Sequence, residues 1–485
     1  MKKISLVGFV LILTLSLSLG IVLAFGQGSD LGSEEPKIPA TNYDVDYAKG
    51  AEITTNGDAI TIAFSEMQTI NTIVLKEEVR AVREFEIYYL NAESEYVFVY
   101  RQDTIGDYRY CCFAEVQTTS LKIVVTDYVG DSWGITSIEI YHMGDNQAAD
   151  DFRVTAYAVS QYTYAEGSVQ PEHFKAINHV NLISTVFFTS QGEIYFLDSE
   201  INGVMVDGEQ IFAQSLANIR AAIKEGTTIV ATLLGQDRLG TGESTIEIHE
   251  SAFTTYRETF IANAVAFCNK YELDGLSFDY EYPETIPQYA LMFDACGALK
   301  EATGGKIMTV ALGTWVTSKP FIFDHAGLKN VDWIESMNYD EMREDPMSHH
   351  SSFEYSAHYH VNMLNTLNGL FSTDEAPYTD IEQYNLGLPF YSRPTNGGGY
   401  WGDYSRVAES LGKYDNVIKD EYLDPNDGNT YDCYYNSYQM IYDKVCYAID
   451  QGLGGVMVWH YSCDVEPNSE LSLWDAVYQA VQSRK

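Results

Sequence analysis

Positive charge is what this chain has least of. Its 29 Lys and Arg stand against 69 Asp and Glu, a formal net charge of −40. That balance argues against nucleic acid or anionic lipid as the main partner, since both are held by clustered basic side chains. Neutral glycans stay open, and so do cationic ones. Cysteine is scarce too. The seven, at 111, 112, 268, 296, 433, 446 and 463, are an odd set without metal-site spacing, so neither a metal nor a cofactor is expected. Cys111 and Cys112 are adjacent and poorly placed to bridge each other. A bridge from Cys433 to Cys446 or Cys463 and a set of buried free thiols are both open readings. After residue 25 the chain lacks any apolar run of spanning length, so the remainder is expected to be soluble.

The early run is the exception. Lys2 and Lys3 precede an unbroken apolar stretch from Ile4 to Phe25. This is the pattern of an export signal over 1–26, with Ala24-Phe25-Gly26 as a cleavage site, and an uncleaved N-terminal anchor is the competing reading. No cysteine follows at the position a lipid anchor needs. A secreted or cell-surface location and a monomer are the expectation. Residues 27–44, rich in Gly, Ser, Pro and acid, read as a linker.

From 45 to 145 short stretches alternate apolar and polar residues, as in Phe85-Glu86-Ile87-Tyr88-Tyr89-Leu90 and Leu121-Lys122-Ile123-Val124-Val125. Turns such as Asn56-Gly57 separate them, and no helix pattern interrupts, which predicts a small all-β sandwich domain. After Asp150 apolar strands alternate with amphipathic stretches such as Ile211–Ile223, Phe253–Tyr271 and Tyr289–Ala302. Eight strands are predicted, at 152–158, 179–187, 228–234, 274–280, 306–312, 332–338, 385–390 and 455–460. Without a glycine-rich phosphate loop, eight such units favour an α/β fold of the closed (β/α)8, or TIM barrel, kind over 150–485.

The stretch with most chemistry in it is Asp274-Gly275-Leu276-Ser277-Phe278-Asp279-Tyr280-Glu281. On a strand alternate side chains share a face. Leu276, Phe278 and Tyr280 then point to the surrounding helices, and Ser277, Asp279 and Glu281 point into the barrel. Two inward carboxylates about 6–7 Å apart at the backbone repel each other in a partly dry site. One pKa rises, which lets a carboxylic acid stay protonated and act as a general acid. Glu281 ends the fourth strand, at the face where barrel active sites are built.

This segment resembles the strand-four signature of glycoside hydrolase family 18, D-G-x-D-x-D-x-E, with Ser277 where the family has another Asp. Ser336-Met337-Asn338-Tyr339-Asp340 resembles its M-x-Y-D, Leu386-Gly387-Leu388-Pro389-Phe390-Tyr391-Ser392-Arg393 its G-x-P-x-Y-x-R, and Gly454-Gly455-Val456-Met457-Val458-Trp459 its G-G-x-M-x-W. Tyr157 matches the first-strand tyrosine. Only one glycine of the third-strand S-x-G-G is kept, in Leu233-Leu234-Gly235-Gln236. The resemblance covers about 150–480 and implies a glycosidase acting on glycans that contain N-acetylglucosamine. Glu281 is then the catalytic acid, Asp279 the group that orients the 2-acetamido N–H, and Tyr339 a donor to the acetamido oxygen. The nucleophile is that oxygen of the substrate, an exception to the two-carboxylate scheme. Met337, Asp340, Tyr391, Arg393, Trp459 and Tyr157 become substrate contacts, with Trp459 an apolar floor.

Serine at 277 donates a hydrogen bond but cannot share the charge of the missing Asp. The stretch from Arg393 to Tyr435 is short for the wall-forming insertion of processive members, which suggests a shallower groove; Tyr400 and Trp401 in it are candidate sugar-stacking residues. Over 45–145, Ile70–Leu75, Val82–Tyr89 and Leu121–Val125 resemble a discoidin-type (coagulation-factor type C) module, which implies a carbohydrate-binding domain; a spacer is the alternative. Chitin-like polymers are the expected substrate. An endo-β-N-acetylglucosaminidase of N-glycan cores and a catalytically silent chitin-binding lectin are the alternatives.

Overall fold

The computed structural model describes residues 45–280, 283–313, 324–340, 350–371 and 380–485. The signal and linker segments expected over 1–44 lie outside them. Between 45 and 145 six strands form one antiparallel sheet: β1 (Glu52–Asn56), β2 (Ala59–Glu77), β3 (Val82–Leu90), β4 (Tyr96–Gln102), β5 (Arg109–Tyr128) and β6 (Ile135–Tyr141). Their order is β1-β2-β5-β3-β4, with β6 paired to β2. Strand β2 is 19 residues long. Irregularities between Ala63 and Gln68 and between Ile70 and Thr72 bend it without ending its ladder to β5, as bulges do. Ile62, Ile70, Phe85, Ile87, Leu121 and Ile123 lie in an apolar core of this unit's own.

Eight parallel strands then close a barrel in chain order: β7 (Arg153–Val159), β8 (His179–Ile183), β9 (Thr228–Leu233), β10 (Gly275–Asp279), β11 (Ile307–Gly313), β12 (Trp333–Met337), β13 (Tyr384–Pro389) and β14 (Gly455–Trp459). Each lies on an expected strand. A repeated device fixes their register from below. Asn178, Asp274 and Asp332 each stand just before a strand and accept the backbone N–H of a neighbouring one, at Val154 (2.8 Å), Ile229 (2.7 Å) and Met308 (2.9 Å). Asp274 of the strand-four signature is therefore a structural carboxylate. Gly275 beside it is required by close approach, because a Cβ there would fall 2.0 Å from the Ile307 carbonyl oxygen.

The larger helices are α1 (Gly208–Ala222), α2 (Thr245–Phe253), α3 (Arg257–Lys270), α4 (Ile286–Ala302), α5 (His360–Phe371), α6 (Tyr438–Asp450) and α7 (Leu473–Gln482). The helix expected over 253–271 starts later, at Arg257. A Ser244–Glu247 capping box nucleates α2 ahead of it, and the chain turns between the two. All seven cysteines are buried free thiols, so the bridge from Cys433 is not formed. No described helix is long and apolar enough to cross a membrane.

Helix α6 shows how the sheet and barrel are joined. A barrel helix ordinarily keeps one face in water, yet every residue of α6 from Gln439 to Asp450 is buried. The sheet covers the outer face. Asp443 accepts from Tyr100 Oη (2.7 Å), the Cys112 N–H (2.9 Å), Gln439 Nε2 (2.9 Å) and Arg109 Nη2 (3.3 Å). One turn or two further on, Asp450 pairs with Arg484 Nε at 2.9 Å and accepts from Tyr110 Oη at 2.9 Å, while Arg484 also reaches Thr72. Burial disfavours the charge on both carboxylates, and with this many partners each is costly to disturb.

Candidate active site

Strand β10 meets the expected alternation. Leu276, Phe278 and Tyr280 are buried outward: Phe278 packs on Phe253 and Phe260, and Tyr280 stacks on His249 at 3.9 Å between ring centroids. Ser277 is fully buried on the opposite face, and Asp279 is half-buried at the strand's end. Glu281, the expected acid, lies outside the described residues.

Above Ser277 stands the Tyr157 side chain from β7. Burial, aided by the Glu335 and Asp279 carboxylates, pushes the Tyr157 phenol well up, and the nearby Ser277 hydroxyl offsets part of that shift. The two hydroxyls nonetheless fall short of hydrogen-bond geometry, and neither finds another protein partner among the described residues. A neutral phenol between two carboxylates is a hydrogen-bond donor in reserve.

The Asp that the family places at 277 is missing, but the barrel interior does hold another carboxylate. Glu335 on β12 is fully buried and accepts from Thr155 Oγ1 (2.9 Å), Trp333 Nε1 (2.7 Å) and Asn385 Nδ2 (3.0 Å). Burial raises its pKa, and these three donors offset part of the shift. The one signal of Glu335 in the sequence is its shared parity with Met337 on this strand.

At the end of β12 the chain delivers Met337, half-buried, then Tyr339 and Asp340. Tyr339 Oη lies 3.8 Å from Met457 Sδ, and its ring stands edge-on to Tyr391 at 5.9 Å. Gly387 allows β13 to approach this corner: a Cβ there would lie 2.2 Å from the Ser336 carbonyl oxygen. Asp340 has φ +61° and accepts from Tyr391 Oη (2.7 Å), Arg393 Nε (2.8 Å) and Arg393 Nη2 (2.5 Å). Burial works against its charge, but the Arg393 guanidinium and the His350 ring, 3.4 Å away, hold the carboxyl well below the usual range. His350, ten positions after Asp340 in the chain, lies in none of the sequence motifs.

An aromatic wall completes the mouth. Trp459, at the end of β14, packs on Tyr157 (5.6 Å) and stands perpendicular to Trp401 (6.4 Å). Trp401 stacks on Tyr391 at 4.4 Å, with the Arg393 guanidinium 4.6 Å from its ring centre, and stays 42% exposed, so one edge remains for a ligand. Tyr400 instead stacks on Tyr422 and bonds Glu421, as a loop anchor would. The segment after β13 is short, as expected, and forms a three-stranded antiparallel sheet over 393–394, 417–423 and 430–434. The described residues expected in the site thus form one connected cluster at the C-terminal face of the barrel. A half-buried carboxylate, phenol donors and an apolar wall suit a substrate with an amide, a ring face and a developing positive charge.

Comparison with known proteins bears on the barrel and its family. The sequence profile of glycosyl hydrolases family 18 matches residues 153–464. Chitinase A1 of Niallia circulans is 26% identical over 268 residues, 44% of this chain and 38% of its own length. Endochitinase 1 of Metarhizium robertsii is 28% identical over 245 residues, 43% of this chain and 56% of its own. The matched region thus spans less than two thirds of either relative. Among solved structures, the Group IV chitinase of Ostrinia furnacalis in complex with allosamidin superposes with a TM-score of 0.51 at 18% identity, covering 69% of this chain and 100% of that one. Chitinase ChiB of Flavobacterium johnsoniae gives 0.50 at 20% identity, covering 68% and 94%. At such identities the superpositions speak for the shared barrel alone.

Proposed function

The chain belongs to glycosyl hydrolase family 18, and from that premise we propose that it is a chitinase-like enzyme that hydrolyses β-1,4 N-acetylglucosamine linkages with the substrate's own acetamido group as nucleophile. The observation that carries this reading is the convergence on one barrel face of Asp279 with Tyr157, Tyr339, Asp340, Tyr391, Arg393 and Trp459, next to the chain position of Glu281.

In this mechanism Glu281 protonates the glycosidic oxygen as the bond breaks. The acetamido oxygen attacks the anomeric carbon from the opposite face and gives an oxazolinium ion. Asp279 accepts a hydrogen bond from the acetamido N–H and stabilises the positive charge that develops there. Tyr339 donates to the acetamido oxygen and aligns it. Glu281 then takes a proton from water, which opens the ring with net retention. Trp459 lies under the −1 sugar, and the Asp340–Arg393–Tyr391 group holds the polar edge.

Export through residues 1–26 and a discoidin-type glycan-binding role for the N-terminal sheet belong to the same proposal. Incubation with chitin oligosaccharides and, separately, with a high-mannose glycoprotein tests the substrate. Release of short N-acetylglucosamine oligomers from the first supports it; cleavage of the second alone would move the activity to N-glycan cores.

A further inference from the structure

A second cluster of chemically capable side chains lies behind the aromatic wall. Cys463 Sγ is 3.3 Å from His460 Nε2 and 3.4 Å from Asp403 Oδ1, and the three donor atoms all lie within 4.8 Å of one another. His460 and Cys463 are buried, whereas Asp403 is exposed and leaves a path to solvent. Nothing in the glycosidase mechanism uses them.

These separations lie close to the edges of a small coordination polyhedron. Zinc bonds are about 2.3 Å to sulfur, about 2.0–2.1 Å to imidazole nitrogen and about 2.0–2.2 Å to carboxylate oxygen. At a tetrahedral angle they place nitrogen and oxygen roughly 3.5–3.7 Å from the sulfur, so the observed 3.3 and 3.4 Å need to open by only a few tenths of an ångström. Sulfur with imidazole selects a thiophilic ion over calcium or magnesium. The surroundings orient the ring for this. The Ser462 N–H approaches Nδ1 at 3.3 Å and Tyr162 stacks on the imidazole at 5.4 Å, so Nε2 is turned toward the sulfur. Binding at Nε2 moves the ring proton to Nδ1 at the expense of that long contact, and the Cys463 thiol gives its proton to solvent.

We infer that Asp403, His460 and Cys463 form a binding site for one zinc-like divalent cation, with water in the fourth position. Its place gives it an effect on the wall. Asp403 lies two residues beyond Trp401 and pairs with Tyr391 through an isolated bridge, and His460 directly follows Trp459. A bound ion ties the segment after β13 to the end of β14 and holds the two tryptophans at a fixed separation. Sequence spacing could not suggest the site, because Asp403 and Cys463 are 60 residues apart.

Cobalt reports on such a site directly. Full-length protein stripped with a chelator is titrated with Co2+ alone and then with Zn2+. The expected result is a cysteine-to-cobalt charge-transfer absorption that saturates at one ion per chain and is displaced by zinc. Cys463→Ser abolishes the band. Asp403→Asn, at an exposed position where folding is not at stake, weakens affinity at least about tenfold, since even outer partners of metal ligands are worth that much. No band in the wild type, or a band unchanged in Cys463→Ser, overturns the assignment.

Discussion

Asp340 and Arg393 face each other as a two-pronged pair, Nε to Oδ1 at 2.8 Å and Nη2 to Oδ2 at 2.5 Å, and Tyr391 shares Oδ1. The pair joins the end of β12 to the end of β13 and fixes the Trp401–Tyr391 stack beside it. Lysine can keep the charge but not the fork. Hydrogen bonds to charged groups contribute about 1.5–3 kcal/mol, so Arg393→Lys is expected to lower kcat/KM on chitin oligosaccharides by roughly 10- to 100-fold. Unchanged kinetics would remove the pair from the site.

Ser277 stands alone where a second carboxylate would face Asp279. Ser277→Asp adds a like charge in a buried position, which raises the pH at which Asp279 ionises. The acid limb of the kcat/KM–pH profile is expected to move up by about one unit. Superimposable profiles would show that position 277 does not tune Asp279.

Asp443 belongs to α6, but three of its four donors come from the sheet strands or stand against them. Asp443→Ala leaves the Arg109 guanidinium buried without its main partner. Breaking a buried pair in this way costs about 3–5 kcal/mol. Denaturant unfolding followed by both tyrosine fluorescence and far-UV circular dichroism should give a single transition in the wild type and an earlier one in the variant. Two separate wild-type transitions would contradict a sheet fused to the barrel.

His249 stacks on Tyr280 and gives its Nδ1 hydrogen to the Thr245 carbonyl oxygen at 2.7 Å, and burial pushes its pKa down from 6.5 to about 4. A lowered folded pKa gives stability that is complete above about pH 6.5 and is lost as pH falls toward 4. The amount is on the order of 3 kcal/mol. Asp443 and Asp464, pushed up to about 6 by burial, act in the opposite sense. The test is therefore a difference: the decline in Tm between pH 6.5 and 4 should be shallower in His249→Leu than in the wild type. Parallel curves would show that His249 does not titrate in this window.

The barrel was legible because its apolar strands alternate with helical patterns, and β10 ends in a polar residue, Asp279. The inward and outward faces of β10 followed from period two alone. Other features depend on contacts far apart in sequence. Glu335 shares inward parity with Met337, but its partners Thr155 and Asn385 come from strands remote in the chain. The burial of α6 was hidden for the same reason: Asp443 and Asp450 are met by Tyr100, Arg109 and Tyr110 of the distant sheet, and Lys444 by Ser351 and Asn436.

The central claim is hydrolysis assisted by the substrate's acetamido group, with Glu281 as the proton donor. Proton NMR of chitopentaose digestion reads it in one experiment, through the anomer present in the first products. The account predicts β-anomeric products from the wild type, before mutarotation, and none at a comparable rate from Glu281→Gln. Initial α-anomeric products, or undiminished hydrolysis by Glu281→Gln, would contradict it.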